Sequence, residues 1–413
     1  MQPLAPPRRR DHVAALAAVL FCLGLAYLLY HSLAGGTLLA HNVYDSYSLQ
    51  AENWLAGRNY IAGGETYTWL ELAIYNGRYY QSFPPTPAVL MLPLVALLGS
   101  AGAVPSNLVI VLACLLCAAG VYACFWLRGA APATAAFFAI FVGMGSNLFA
   151  LGGAGGVWFL AQVWGLCLAV WGLFFALRGG VPANLAASLC FAAAVGCRPF
   201  YAALLLLWGA RLLAAVLNRR ASARLLAAAV LPASAVAAVM MGYNLARFGS
   251  VAEFGHNHLP EFVGAAYGQF SWHYLANNLC NLLRPVTLDA QGQLQFPLWD
   301  GFFFPLANPL FLLWLACGLC AWRRRDPRPA PGPLPCGGPG LALLCLALTL
   351  LTCMHKTLGG WQFGARYLVD LFPYLLLWFL ARPAWRPRTA SLALCGGAVL
   401  FNLYGAVYLL IAS

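Results

Sequence analysis

"PPTPAVLMLPLVALLG" fills residues 84–99, and whether it crosses a bilayer decides the topology of everything after it. The run is apolar throughout, which suits a membrane. It is also shorter than the roughly 20 residues that a helix needs to span the hydrocarbon core. Pro93 removes one backbone donor in its middle. Taken alone, the stretch fits either a short span or a helix lying along the surface.

The rest of the chain resolves the choice. Apolar runs recur near 13–31, 105–127, 133–151, 157–177, 183–197, 199–217, 225–245, 302–322, 339–354, 367–381 and 390–411. Cytoplasmic loops carry an excess of Lys and Arg. With Arg8, Arg9 and Arg10 inside and 84–99 not spanning, the next inside turns hold Arg128, Arg178, Arg211/Arg219/Arg220/Arg224, Arg323/Arg324/Arg325/Arg328 and Arg382/Arg386/Arg388. Sixteen of the 23 basic residues then lie on one side. If 84–99 spans, the later clusters flip outward and the rule fails. The expectation is therefore about eleven transmembrane helices with the N-terminus cytoplasmic, and 84–99 as an interfacial helix.

Composition agrees. Of 413 residues, 62% are hydrophobic and 8% charged, against about 25% charged in ordinary soluble domains. That excludes a multidomain soluble protein and points to a single all-α polytopic domain over residues 1–413. The formal charge of +12 would suggest nucleic acid in a soluble chain. Here it sits in short turns between apolar runs, so no nucleic-acid partner is expected. The stretch from Val13 to Tyr30 reads as an uncleaved first helix, being long for a signal peptide. Most of the 14 cysteines lie inside apolar runs, and the Cys114/Cys117 and Cys317/Cys320 pairs read as membrane-helix residues rather than zinc ligands.

The acids segregate as a consequence. Only Asp11 and Asp326 fall inside; Asp45, Glu52, Glu65, Glu71, Glu253, Glu261, Asp289, Asp300 and Asp370 fall outside or near the outer face. Two long outer loops, 32–84 and 246–301, carry most of the polar chemistry. "DSYSLQAENWLAG" at 45–57 predicts a short helix capped by Asp45 or Ser46. Tyr47, Leu49, Trp54 and Leu55 are expected on the bilayer interface. "YNGRYY" at 75–80 predicts a hairpin turn at Asn76-Gly77. Arg366 and Asp370, one helical turn apart at the mouth of a span, are expected to pair. His256 and His258 beside Glu253 have metal-ligand chemistry, but single histidines more often pack. No metal site is expected; a divalent cation is left open, and no other cofactor is implied.

The first outer loop with its early Asp before a helix ending "LAGR", then "YNGRYYQSFPPTPAVLMLP", "GCRPFYAALLLLWGARLL", "YNLARFGSVAEFG" and "FGARYLVDLFPYLLL", resembles bacterial glycosyltransferases of the C superfamily. The likeness is to the family 39-like, mannosyltransferase-like members, and it implies a GT-C fold. It also implies transfer of a sugar from a polyprenyl-phosphate donor to an acceptor hydroxyl on the extracytoplasmic face of the plasma membrane. In that family the base is an Asp or Glu early in the first outer loop, which matches Asp45. Many relatives carry a second acid beside it. Here the next residue is Ser46, leaving Glu52, Glu65 and Glu71 as candidates for that second acid. Arg366, Lys356 and Arg247 are isolated outer cations suited to the donor phosphate, with Asp370 orienting Arg366. Trp272, Tyr274 and Trp299 are candidates to stack on a sugar. The acceptor, whether glycan, lipid or protein, is not legible. Two other classes share the many spans and outer loops: a transporter or flippase, and a non-catalytic partner in cell-surface polysaccharide assembly.

Overall fold

A computed structural model describes residues 8–324 and 337–412 of the chain. Arg325, Asp326 and Arg328 of the expected basic cluster lie outside the described residues. Among the described residues six helices are long and apolar enough to cross a membrane: Arg9–Leu33, Ser106–Leu127, Val157–Arg178, Pro199–Leu217, Ala223–Phe248 and Thr389–Ala412. Thr86–Leu98, Pro132–Gly143, Val181–Val195, Leu310–Arg323 and Gly338–Cys353 are apolar but shorter. The protein is an all-α polytopic membrane protein; among the described residues the strands form two small hairpins.

The helices form a bundle with two chemically different ends. At one end, His12 bonds the Tyr122 hydroxyl at 3.1 Å and stacks on Trp126, with ring centroids 4.7 Å apart. Arg128 Nε donates to the Leu380 carbonyl at 3.1 Å, and Trp385 packs on Phe138. This end gathers Arg8, Arg128 and the turn after Leu380. At the other end, Val157 N donates to Tyr44 O at 3.0 Å and Asn107 Nδ2 to Thr37 O at 2.9 Å. The polar loops collect there.

The Thr86–Leu98 helix starts and finishes beside this loop end. Thr86 N donates to Gly196 O at 2.9 Å, and Val104 O, just past the helix, accepts from His41 at 3.1 Å. A Pro at its second position presets the first turn, and Gly99 with φ +86 ends it.

Local signals in the first loop act as the sequence predicts. Asp45 caps the Ser46–Leu55 helix by accepting from Ser48 N at 3.0 Å. Strands Leu72–Tyr75 and Arg78–Gln81 pair antiparallel, with Asn76 at φ 49 and Gly77 at φ 71 forming the turn. One expectation is overturned. Tyr47 is fully buried instead of lying on the interface. The short helix packs on Thr86–Leu98, and the Tyr47 ring lies within the fold, near Cys197 and Arg198.

Candidate active site

Where the two loops meet the bundle there is a cavity of about 310 Å³, at the small end of ligand sites, which run from about 300 to 1,000 Å³. Its walls come from segments far apart in sequence. Phe83 and Pro84 enter from the first loop, Trp158 from a helix start, and Arg198 and Phe200 from the break between two helices. Glu253 and His256 come from the second loop, and His355, Arg366 and Tyr367 from the segment after Cys353. The Phe270–His355 and Trp299–Trp361 bridges tie that last segment to the second loop.

Two arginines of the wall lie against one aromatic ring. The Arg198 guanidinium lies 4.5 Å from the Tyr367 centroid and that of Arg366 lies 4.8 Å from it. Each such contact is worth about 0.5–2 kcal/mol. Arg198 Nε donates to Asp370 Oδ2 at 2.6 Å, and Asp370 Oδ1 also accepts from Gln162 Nε2 at 2.6 Å and from the Tyr201 hydroxyl at 3.0 Å. Arg366 is 3% exposed. Its Nε and a terminal nitrogen both donate to the Gly359 carbonyl, at 3.2 and 3.0 Å. Among the described residues it makes no ion pair. Gly359 has φ +115, and a Cβ there would sit 2.7 Å from Arg366 Nε. Only glycine lets the backbone come this close to the guanidinium.

The expected Arg366–Asp370 pair is therefore corrected: Asp370 serves Arg198. The reason is local. Residues Arg366–Leu371 form a 3₁₀ helix. Positions four apart on it are about 120° apart around the axis, against about 40° on an α-helix.

The other candidate residues fall in different places. Asp45 is fully buried and is not among the residues that line the cavity. Its Oδ2 accepts from the Ser48 hydroxyl at 2.6 Å, and His41 is 4.0 Å away. Burial raises its carboxyl above the ordinary 3.8, against the pull of the Ser48 bonds and of His41. Glu71 lies one residue behind the cavity: Trp158 Nε1 donates to its Oε2 at 2.8 Å. Burial raises this carboxyl too, while the Trp158 bond lowers it. Glu52 is partly covered on the short helix and Glu65 is exposed. Arg247 and Lys356 are not in the cavity wall. Arg247 donates to Gln81 O at 2.6 Å and to Asn244 Oδ1 at 3.0 Å, and stacks on Tyr243. Lys356 Nζ donates to the Glu261 carbonyl. Trp272 and Trp299 are exposed and, like Tyr274, are outside the wall.

The wall also holds His256 and His355. Burial pushes both down to about 4, so each ring is neutral near pH 7. His258 instead stacks on Phe248. Among the described residues no three His, Cys, Asp or Glu side chains converge as a metal site.

Arg198 is the main wall residue that motif reasoning passed over. Two signals pointed to it: it is an outer cation, and Pro199 follows it at a helix break.

No family model matches the chain, and no curated protein matches it in sequence. Among solved structures it is similar to ArnT from Cupriavidus metallidurans, a structure bound to undecaprenyl phosphate. The TM-score is 0.51 at 14% identity, covering 94% of this chain and 62% of that one. It also aligns with the oligosaccharyltransferase of Archaeoglobus fulgidus at a TM-score of 0.49 and 14% identity, covering 98% of this chain and 56% of that one. The chain thus spans less than two thirds of the length of these proteins. Its fold is that of the GT-C glycosyltransferases.

Proposed function

We propose that the chain is a membrane glycosyltransferase that moves a sugar from a polyprenyl-phosphate donor to an acceptor hydroxyl. One observation carries the reading. Within a GT-C fold, a buried arginine that makes no ion pair among the described residues shares a cavity wall, and the ring of one tyrosine, with a second arginine.

A lipid-phosphate sugar brings its own leaving group. The protein's task on that side is to hold the phosphate and receive the charge that grows on it as the glycosidic bond breaks. Guanidinium forks suit phosphate oxygens. Arg366 has donors to spare beyond its Gly359 bonds. Arg198, held by Asp370, adds a second fork at fixed geometry. Because the donors are already in place, little reorganisation accompanies bond breaking.

On the acceptor side, a hydroxyl must lose a proton to attack. The family resemblance gives that task to Asp45. From its buried position, Asp45 would reach the cavity only after the first loop opens. Attack from the face opposite the phosphate gives inversion at the anomeric carbon. The positive-inside pattern puts the Arg128 end in the cytoplasm and the cavity on the extracytoplasmic face of the plasma membrane.

Undecaprenyl phosphate is the probe for a test in lipid nanodiscs. The expected result is saturable binding of undecaprenyl phosphate, together with consumption of an undecaprenyl-phosphate sugar by wild type. Absence of both, in protein with a cooperative melt, rejects the reading. A transporter would instead move the lipid without breaking its sugar–phosphate bond.

A further inference from the structure

The cavity has a carboxylate of its own, and neither the family pattern nor the first loop supplies it. Among the described wall residues, Glu253 is the one Asp or Glu. It lies on the stretch 252–257, most of whose residues line the cavity. We propose that Glu253 is the proton acceptor for the attacking hydroxyl, on the reading that the cavity transfers a sugar from a lipid phosphate.

The turn is built to hold this carboxylate in place. Gly255 takes φ +106, where a Cβ would meet the Phe248 ring at 2.9 Å. This lets the chain fold back, so that Gly255 N donates to Glu253 Oε1 at 2.7 Å and Asn257 Nδ2 to Oε2 at 2.8 Å. Each carboxylate oxygen offers about two acceptor sites, so one remains on each. The side chain is partly accessible, whereas Asp45, which likewise accepts one bond on each oxygen, is fully buried.

Charge is distributed along the wall in the sense the reaction needs. His256 feels Glu253 and Arg198, while His355 feels Arg198 and Arg366. Both imidazoles line the same cavity as Glu253, Arg198 and Arg366 and, being neutral, can hydrogen-bond sugar hydroxyls without adding charge. In the step itself, the acceptor oxygen bonds the anomeric carbon. The bond from that carbon to the phosphate oxygen breaks, and its electron pair leaves on the polyprenyl phosphate at the arginines. The hydroxyl proton passes to Glu253 and then to water.

Two substitutions separate a base from a loop tie. Gln keeps the length of Glu253 and loses the charge; Asp keeps the charge and loses the length. Transfer is measured with an undecaprenyl-phosphate hexose or pentose that wild type consumes, and binding with undecaprenyl phosphate. For Glu253→Gln the expected loss of kcat is about 10²–10⁴-fold, with undecaprenyl phosphate affinity and melting temperature close to wild type. Glu253→Asp should keep more activity than Glu253→Gln. The role is overturned if Glu253→Gln stays within about tenfold of wild type, or if Glu253→Asp is the worse of the two. It is also overturned if a folded Asp45→Asn loses transfer while Glu253→Gln retains it. A wild type that neither binds undecaprenyl phosphate nor consumes any such donor sinks the transferase reading and this role together. A wild type that does both, matched by Glu253→Gln, sinks this role alone.

Discussion

Arg247 and Arg366 are buried to the same depth, each 3% exposed, yet their surroundings differ in kind. Arg247 closes a structural joint. One terminal nitrogen holds the Gln81 carbonyl at the end of the first-loop hairpin, another holds Asn244 one turn back, and Tyr243 covers its face at 3.9 Å. Among the described residues, the Arg366 guanidinium is held by a backbone carbonyl and two aromatic rings, and it lines a cavity. Desolvating an ion costs several kcal/mol. At Arg247 the surrounding contacts offset part of that cost, although its Nε is buried with no partner among the described residues; at Arg366, which lines the cavity, an arriving anion would add to the offset. Burial of a charge therefore does not by itself mark a site. What marks it here is a donor group lining a cavity, which Arg366 does and Arg247 does not.

The sharpest way to break the comparison is at the charge that stands between these cases. Arg198 faces the cavity but is already paired with Asp370. Arg198→Ala leaves a buried carboxylate without its cation, which typically costs about 3–5 kcal/mol. A large fall in melting temperature in detergent or nanodiscs is expected. Adding Asp370→Asn should return a good part of the loss. If the single variant melts like wild type, the pair is not a structural unit.

Next comes the arginine contrast itself. A charge-assisted hydrogen-bonded contact is worth about 1.5–3 kcal/mol, so Arg366→Ala should weaken undecaprenyl phosphate binding by roughly 10- to 100-fold while changing the melt little. Arg247→Ala should do the reverse, lowering the melt with binding affected only through lost fold. Equal effects of both variants on binding, measured at matched folded fraction, would dissolve the distinction.

The smallest effect is a pH slope in the first loop. Burial raises the folded-state Asp45 carboxyl above the ordinary 3.8. Its favourable contribution is thus fully present below 3.8 and is lost as pH rises through the raised folded value. Asn is about as good a helix cap as Asp and carries no charge. Asp45→Asn should therefore match wild-type stability at low pH and gain on it as pH rises toward neutral. A melting-temperature difference that does not change with pH would show that Asp45 carries no burial penalty there.

How much was legible in advance follows from the range of each signal. Membrane-scale hydropathy, the Arg-rich turns, the Asn76-Gly77 hairpin and the Asp45 cap are statements about neighbouring residues, and the sequence determined all of them. The GT-C resemblance also rested on contiguous stretches. Membership of the cavity wall was not local. Arg198 and Asp370 are 172 positions apart, and Glu253 joins them only because the second loop folds over the bundle end. Even the nearest pairing, Arg366 with Asp370, turned on whether six residues wind as α or as 3₁₀, a choice made by packing rather than by spacing. The sequence determined which charges sit at the loop end, because hydropathy and charge bias act along the chain. Tertiary structure alone decided which of them are paired, sealed or left facing the cavity, because Coulomb and hydrogen-bond partners are chosen by distance in space.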